Sequence, residues 1–273
     1  MAWLWAALMP HPPVIVPEVG HGREKEAALT LQGIERLCAA LKSLHEHSLP
    51  DWLLLFSPHS PSVPGALFVN IAPRLHGSLA RFGAPGARIA SDVPMEILQE
   101  FTALLEASAI PVAQGALENI TQDHAAIVPL YLLSKVFPNG KLPPVLLANP
   151  SGLTVEQALA LGRTLGRAAW QGRPAMLASG DLSHRLKEDG PYGFDPAGPL
   201  FDEAAVAALK AGSPAPLLEL SPTTRENAGE CGLRPVLSLI GLCNGPLQVF
   251  SYEGPFGVGY CTALWMPEQS PNT

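Results

Sequence analysis

Short apolar runs alternate with amphipathic segments along this chain. Apolar runs predict buried strands at Ala2–Leu8, Trp52–Phe56 and Ala66–Ile71, and in the later stretches PPVLLANP, PAMLAS, LQVFSYEG and GVGYCTALW. Runs of this length, bounded by proline, glycine and polar residues, are typical of strands that are covered on both faces of a sheet.

The segments between these runs carry apolar residues at three- and four-residue spacing, which predicts helices. These helices are expected over Gly22–Glu46 and Pro94–Ser108, after the loop ITQDH, and in TVEQALALGRTLGRAAW, FDEAAVAALKAG and GLRPVLSLIGLCNG. Alternating strands and helices predict an α/β fold, with a central, largely parallel or mixed β-sheet flanked by helices. No internal repeat or long linker divides the chain, so we expect a single domain over residues 1–273.

Composition narrows the function classes. The 273 residues are 47% hydrophobic and 15% charged, with a net charge of −7 and scattered lysines and arginines. We therefore expect a globular protein without the basic stripe that nucleic-acid binding requires. No apolar run reaches the ~20 residues of a membrane span, and the opening run lacks the basic segment and cleavage site of a signal peptide. Four cysteines without a CxxC pair predict a reduced, cytoplasmic protein.

Three histidines occur shortly after apolar strands: His11 after WLWAALMP, His59 after WLLLFSP and His184 after AMLASGDLS. In open α/β sheets, ligands bind beyond the carboxyl ends of the strands. If the three strands are parallel neighbours, these imidazoles meet at one edge of the sheet. His124 opens a helix that can face the same crevice. A single loop histidine is more often a surface group, so the shared position is what favours a site.

Glu230 and Cys231 stand at the start of an apolar helix, where the helix dipole and free N–H groups stabilise a carboxylate or a thiolate. Two histidines and Glu230 would make the set that holds a non-haem Fe(II) with open positions. Adjacent helical side chains diverge by about 100°, so only one of these two residues is expected to bind a metal. A hard carboxylate suits Fe(II) better than a thiolate does. The alternative for Glu230 is a structural role in the first turn of the helix.

The ordered motifs MPHPP, SPHS, SGDLSH and GECGLRP resemble those of the class III extradiol ring-cleavage dioxygenases, the LigB-type catalytic subunits. The late ECG element also resembles Memo proteins, which carry a cysteine before this glycine. Each motif is short, but together they extend over nearly the whole chain. The resemblance implies one LigB-like α/β domain, a fold that is also described as phosphorylase/hydrolase-like.

The same resemblance implies a mononuclear Fe(II) held by His11, His59 and Glu230, with zinc or another divalent metal as the alternative. It implies His184 as the acid–base catalyst and His124 as a residue that helps to bind substrate or oxygen. The implied reaction is the extradiol cleavage of a catechol-like aromatic diol by O2. LigB-type enzymes often associate with a small partner subunit, so we expect such a subunit or a homo-oligomer.

Other residues keep two interpretations each. Asp181 either orients a metal ligand or the base, or it caps its own loop. Arg234 pairs either with a substrate carboxylate or with a structural partner. Asp123 and Tyr192 are expected near the cleft without an assigned role.

Two other function classes fit these residues. A Memo-like metal-binding protein would have a redox or partner-mediated role without ring cleavage, and Cys231 favours this class. A metal-dependent hydrolase is the third class, because histidine and carboxylate ligands also suit zinc.

Overall fold

Between residues 3 and 267, which the computed structural model describes, the chain forms ten strands and nine helices. The strands are β1 (Trp5–Met9), β2 (Trp52–Phe56), β3 (Leu67–Asn70), β4 (Arg74–Leu79), β5 (Ala84–Asp92), β6 (Val112–Gly115), β7 (Val145–Asn149), β8 (Pro174–Ser179), β9 (Gln248–Glu253) and β10 (Tyr260–Trp265). The helices are α1 (Pro17–Gly20), α2 (Ala28–His45), α3 (Met95–Ala107), α4 (His124–Ser134), α5 (Val155–Arg167), α6 (Ala197–Ala211), α7 (Ala215–Glu219), α8 (Pro222–Asn227) and α9 (Leu233–Cys243). No helix in this part of the chain is long and apolar enough to cross a membrane.

Eight strands form one mixed sheet in the order β6-β3-β7-β2-β8-β1-β10-β9. Its centre, β7-β2-β8-β1, is parallel, and β3 and β10 run antiparallel on either side of it. Every residue of these four central strands is buried, which requires cover on both faces of the sheet. The predicted α/β fold, with a mixed sheet flanked by helices, is confirmed.

Several predicted boundaries shift. The first strand is predicted from Ala2, which lies outside the described residues, and the strand begins at Trp5. The helix predicted over Gly22–Glu46 begins only at Ala28, because a 3-10 turn over Arg23–Ala27 precedes it.

This late start has a local cause. The backbone at Ala27 (φ −101°, ψ 48°) leaves the helical region before α2 begins. The Thr30 N–H then donates to Oε1 of Glu253 at 2.6 Å, which satisfies one of the free donors at the helix start.

The hairpin of β4 and β5 is absent from the sequence-based prediction. Its two strands pair antiparallel with each other outside the main sheet and are joined by a 3-10 turn over Ala80–Phe82, and β4 makes one isolated bridge from His76 to Asn119. Alternating exposed and buried residues along β4 are the signal that identifies it, as expected for a strand with one solvated face.

Helices α5 and α9 cross at close range because glycines line the contact. A Cβ atom at Gly162 would lie 2.0 Å from the carbonyl oxygen of Ser238 and 3.0 Å from the Cα of Gly241. The Ser238 hydroxyl donates to the Ala158 carbonyl at 2.9 Å across the same contact. The neighbouring atoms belong to backbone, so a larger residue would push the two helices apart.

We expect Gly162→Ala to lower the free energy of unfolding by about 1–3 kcal/mol, as overpacking of a tight contact does. Urea unfolding followed by circular dichroism measures this change. The matched control is Gly86→Ala, because a Cβ at that exposed position meets nothing within 4 Å. We expect the control to stay within about 0.5 kcal/mol of the natural chain. Equal stability of both variants would contradict the close packing described here.

Candidate functional site

The strands that precede His11, His59 and His184 are parallel neighbours, with β8 between β1 and β2. Their carboxyl ends therefore lie at one edge of the sheet. This confirms the arrangement on which the predicted histidine site depends.

Three histidines converge at this edge. Ligand nitrogens of His11, His59 and His124 all lie within 4.8 Å of one another. The ring centroids are 4.7 Å apart for His11 and His59, 4.4 Å for His59 and His124, and 5.6 Å for His11 and His124. Within residues 3–267, this is the set of three ligand side chains that can hold a metal ion. His124 thus lies with the two histidines predicted as ligands.

The environment keeps these imidazoles neutral. Burial lowers the pKa of His11 well below its usual value, and the neighbouring histidines lower it further. Burial also lowers the pKa of His59, against the carboxylate of Asp123, and lowers that of His124 to about 4. Neutral imidazole is the form that binds a metal, so the cluster is ready to do so at neutral pH.

Side chains at the end of β8 and just after it orient His11. Its Nδ1 is hydrogen bonded to the Ser179 hydroxyl at 2.9 Å, and its backbone N–H donates to Oδ1 of Asp181 at 2.9 Å. Its Nε2 therefore faces the site, at 3.6 Å from both Oδ2 of Asp181 and Sγ of Cys231. Burial raises the pKa of Asp181 to about 7 while it lowers that of His11, so this contact is weaker than an ion pair.

Asp123 connects the elements that carry the other two clustered histidines. Its carboxylate accepts a hydrogen bond from the Ser57 hydroxyl at 2.6 Å and another from Ser60, on either side of His59. It also accepts the Ala126 N–H at 2.9 Å, which caps the helix that starts with His124. Asp123 is itself only 4% exposed. The serines of SPHS are the sequence signal for this network.

His184 is a separate group, close enough to the cluster for charge interactions between it and His11 and His59 to lower pKa values. Its Nδ1 contacts the carbonyl oxygen of Gly229, and its backbone N–H donates to the Ala228 carbonyl at 3.1 Å. A carbonyl only accepts hydrogen bonds, so Nδ1 carries the proton and Nε2 has the free lone pair. Burial lowers the pKa of His184, which keeps this basic nitrogen available at neutral pH. The exposed ring of Tyr192 packs edge-on against His184, with the centroids 5.1 Å apart.

Glu230 and Cys231 point to different partners. Both oxygens of Glu230 are engaged: Oε2 accepts the Leu233 N–H at 2.6 Å and Oε1 accepts from Arg234 at 3.2 Å. The structure thus does not bring Glu230 into the histidine cluster. Arg234 is therefore paired with a structural partner, Glu230, which is one of the two roles expected for it. Cys231 lies at the cluster, and burial keeps its thiol protonated by raising its pKa.

Two glycines allow these loops to meet. A Cβ atom on Gly180 would lie 2.7 Å from the Cα of Gly232, and one on Gly232 would lie 2.6 Å from the Asp181 carbonyl oxygen. Only glycine permits this approach of two backbones. The contact places Cys231 beside Asp181, whose carbonyl oxygen lies 3.6 Å from the thiol sulfur.

Comparison with known proteins shows the family to which the chain belongs. Residues 5–263 match the family described as the catalytic LigB subunit of aromatic ring-opening dioxygenase. The chain belongs to the LigB family. This confirms the resemblance seen in the sequence motifs, and the site described above is thus the candidate active site of a LigB-family chain.

A curated relative and a solved structure extend the comparison. Protein CA_C1420 from Clostridium acetobutylicum is 31% identical over 265 residues, which cover 93% of this chain and 55% of the relative. The LigB-family chain thus spans about half the length of that relative. The crystal structure of the uncharacterized protein JW3007 from Escherichia coli K12 has a TM-score of 0.59 at 15% identity, covering 96% of this chain and 99% of the other. At this identity, the likeness shows a shared fold.

One more buried carboxyl group supports the LigB-family site. Oδ1 of Asp202 accepts the Ser183 N–H at 2.7 Å, immediately before His184, and Oδ2 accepts the Tyr252 hydroxyl at 2.8 Å. The side chain is fully buried, and this burial raises the pKa of Asp202 to about 7 in spite of both hydrogen bonds.

This shift makes stability depend on pH. Between about pH 4 and pH 7 the folded state retains a proton on Asp202 that the unfolded state releases, so the free energy of unfolding falls as pH rises through this window. We expect Asp202→Asn, which keeps an acceptor for Ser183, to reduce the loss of stability between pH 5 and pH 8 by on the order of 2 kcal/mol. Urea unfolding at both pH values measures the difference.

The control for this prediction is Asp92→Asn, which makes the same substitution at an aspartate whose side chain is 74% exposed. Other titrating groups are common to all three proteins and cancel in the comparison. If the natural chain and Asp202→Asn lose the same stability between the two pH values, the assignment to Asp202 is wrong.

Proposed function

We propose that this LigB-family chain is a metal-dependent extradiol dioxygenase that cleaves a catechol-like aromatic diol with O2. The observation that carries the proposal is the cluster of His11, His59 and His124, with the basic nitrogen of His184 beside it. Membership of the LigB family supports the class of reaction. A cytoplasmic location, and association with a small partner subunit or a second copy, are proposed together with this activity.

The clustered residues fit a divalent metal. They offer three neutral imidazoles at mutual distances that one ion can span, and borderline nitrogen ligands suit Fe(II) as well as zinc. We assign His11, His59 and His124 as the residues that hold it, with Fe(II) as the metal. A bound Fe(II) would hold the diol and supply the redox chemistry that O2 requires.

The protein residues provide the proton transfers. The extradiol reaction begins when a base removes a proton from one hydroxyl of the diol. We propose Nε2 of His184 as this base, because its lone pair is free while Nδ1 is engaged at Gly229. The same nitrogen, once protonated, returns the proton at a later step. Hydrogen bonds from its Nδ1 and backbone N–H fix the ring, so no reorientation is needed between the two transfers.

Asp181 positions His11 and takes no part in the proton transfers. Its Oδ1 accepts the backbone N–H of His11, which holds the loop that carries this ligand. Its other oxygen lies 3.6 Å from Nε2 of the same histidine, where a charge on the carboxyl would strengthen binding of a cation.

One observation favours a second candidate function. Cys231 Sγ lies 3.6 Å from His11 Nε2, so a thiolate can join the histidines as a soft ligand. Such a set would suit a Memo-like metal-binding protein with a redox or partner-mediated role and without ring cleavage. Turnover and metal preference distinguish the two candidates.

The proposed activity is tested with the full chain loaded anaerobically with Fe(II), mixed with catechol or 3,4-dihydroxybenzoate and then exposed to O2. We expect a yellow ring-fission product that appears only when both Fe(II) and O2 are present. His184→Ala should retain its iron but lose about 10²–10⁴-fold in rate, the usual contribution of a general acid–base group. Absorbance follows turnover, and elemental analysis follows iron content.

His76→Ala is the matched control, since this histidine is exposed on β4, outside the cluster. It should leave both turnover and iron content unchanged. Absence of product, together with tight copper or zinc binding that depends on Cys231, would favour the second candidate instead. Normal turnover by His184→Ala would remove this residue from the mechanism.

Metal affinity separates the two interpretations of Glu230. We expect His124→Ala to weaken Fe(II) binding by more than about 100-fold, because loss of one ligand from a set of three has an effect of this order. Glu230→Gln should bind the metal within about threefold of the natural chain, since its carboxylate is already engaged by Leu233 and Arg234. Competition with a chromophoric chelator measures both affinities.

A stability measurement completes this comparison. Glu230→Gln weakens the pairing with Arg234 and should lower the free energy of unfolding by about 1 kcal/mol. The opposite result, a large loss of metal affinity in Glu230→Gln with little change in His124→Ala, would show that Glu230 turns towards the metal and that His124 has the predicted substrate- or oxygen-binding role.

A further inference from the structure

A cavity of about 300 Å³ lies at the edge of the sheet opposite to the histidine cluster. The last turns of α5 and α9 bound it, together with Gly212 and Pro214 in the loop after α6. Helix α5 runs back from the end of β7 towards the amino ends of the parallel strands, where the Trp3 indole N–H donates to the Leu165 carbonyl at 3.0 Å. Helix α9 runs about 16 Å from the loop of Cys231 to the cavity. The cavity is therefore separate from the candidate active site.

Closely packed backbone forms the walls of this cavity. A Cβ atom on Gly166 would lie 2.6 Å from the Leu242 carbonyl oxygen, so α5 and α9 are in backbone contact at their ends. A Cβ atom on Gly212, where φ is +61°, would clash with the carbonyl of Gly245 in the loop after α9. Groups on walls of this kind need little reordering when a ligand binds.

Two arginines give the cavity a positive charge. Arg163 and Arg167 are exposed, and both line it. They are four residues apart on α5, so their side chains share a face of the helix, and like charges at this spacing destabilise a helix slightly. None of the described residues that line the cavity is acidic, in a chain with 24 acidic and 17 basic residues. The repulsion between the two arginines thus has no counter-charge in the cavity wall.

A purely structural role would give these arginines partners within the protein. The last turn of a helix attracts cations, and Arg167 stands in the last turn of α5. Between residues 3 and 267, however, neither Arg163 nor Arg167 donates a side-chain hydrogen bond or lies within 4.0 Å of a carboxylate. Arg173 and Arg234, by contrast, are paired with Asp51 and Glu230. The two guanidinium groups are therefore available to an anion.

The other lining residues indicate which anion fits. Asn244 is exposed at the end of α9, where its carboxamide adds neutral donors. Leu159, Ile240 and Pro214 form an apolar wall. Guanidinium groups bind phosphate oxygens through paired N–H donors, and a phosphate monoester carries nearly two charges at neutral pH. The volume is at the lower end of the range for small-molecule sites, so the organic part of such a ligand is small.

We propose that this cavity is a second ligand site, which binds the phosphate monoester of a small organic molecule. Arg163 and Arg167 bind the phosphate group, and the apolar wall contacts the organic group. The site is selective for a phosphate ester over free phosphate, which lacks the organic group, and over a carboxylate, which carries a single charge. The proposal does not depend on ring cleavage, because it concerns the opposite edge of the sheet.

Isothermal titration of the full chain, loaded with Fe(II) under anaerobic conditions, tests the proposal. The probes are butyl phosphate, inorganic phosphate and pentanoate. We expect butyl phosphate to bind about tenfold more tightly than either of the others, because only this probe has both a phosphate group and an apolar chain. Arg163→Gln and Arg167→Gln should each weaken its binding about fivefold to tenfold, the effect of losing one charge-assisted pair at a partly exposed site. Added salt should also weaken it, because ions screen exposed charges.

Arg36→Gln is the matched control, since this arginine is exposed on a helix, α2, and does not line the cavity. It should leave all three dissociation constants unchanged. His124→Ala is the second control, because it removes a proposed metal ligand and reports any probe that binds at the metal. It should leave the binding of butyl phosphate unchanged. Equal thermal unfolding of the natural chain and both α5 variants without ligand would exclude loss of the fold as the cause of weaker binding.

Each outcome decides for or against the site. Tighter binding of butyl phosphate that depends on Arg163 and Arg167, and not on Arg36, supports it whether or not the chain cleaves aromatic rings. Failure of butyl phosphate to bind at millimolar concentrations overturns it, as does binding that neither α5 variant weakens. Binding that is lost in His124→Ala would place the anion at the metal centre and would also overturn the site. Equal binding of the three probes would contradict the selectivity for a phosphate ester.

Discussion

The buried carboxylate of Asp123 is the interaction on which the geometry of the candidate metal centre depends. Hydrogen bonds from Ser57 and Ser60 hold the loop around His59, while the bond from the Ala126 N–H holds the helix that begins with His124. Burial raises the pKa of Asp123, so these donors offset the cost of keeping its charge away from water. One side chain therefore positions two imidazoles that come from distant parts of the chain.

Two further buried carboxyl groups repeat this arrangement beyond β8. Asp181 holds the backbone at His11, and Asp202 holds the backbone at Ser183, next to His184. A buried acidic side chain thus accepts hydrogen bonds from the segment that carries each histidine of the site or from its immediate neighbours. Groups fixed in this way need no reordering when a ligand binds, which is the main structural requirement for a preorganised site.

The sequence is sufficient to predict the parts of this site that depend only on where the strands end and on their being parallel. Apolar runs identify β1, β2 and β8, and parallel strands bring the residues that follow them, including His11 and His59, to one edge. The sequence does not determine where a side chain points at the start of a helix, because a glutamate there can either cap the helix or bind a metal. Glu230 accepts hydrogen bonds from Leu233 and Arg234 instead of joining the histidines. The sequence does not predict the β4–β5 hairpin, for a related reason. Its strands have a solvated face and are stabilised by contacts with distant segments rather than by a long apolar run.

The contrast between Glu230 and Cys231 bears on which metal the site prefers. To reach the cluster, Glu230 would leave the Leu233 N–H and the Arg234 guanidinium without their present partner, and unpaired groups of this kind are costly in a buried place. Cys231 is already 3.6 Å from His11, and its thiol needs only to lose a proton, which a bound cation favours. The available set is thus three imidazoles with sulfur nearby, softer than two imidazoles with a carboxylate. If the histidines hold a metal as proposed, a protonated Cys231 would leave them as an all-nitrogen set, and an ionised Cys231 would favour softer ions.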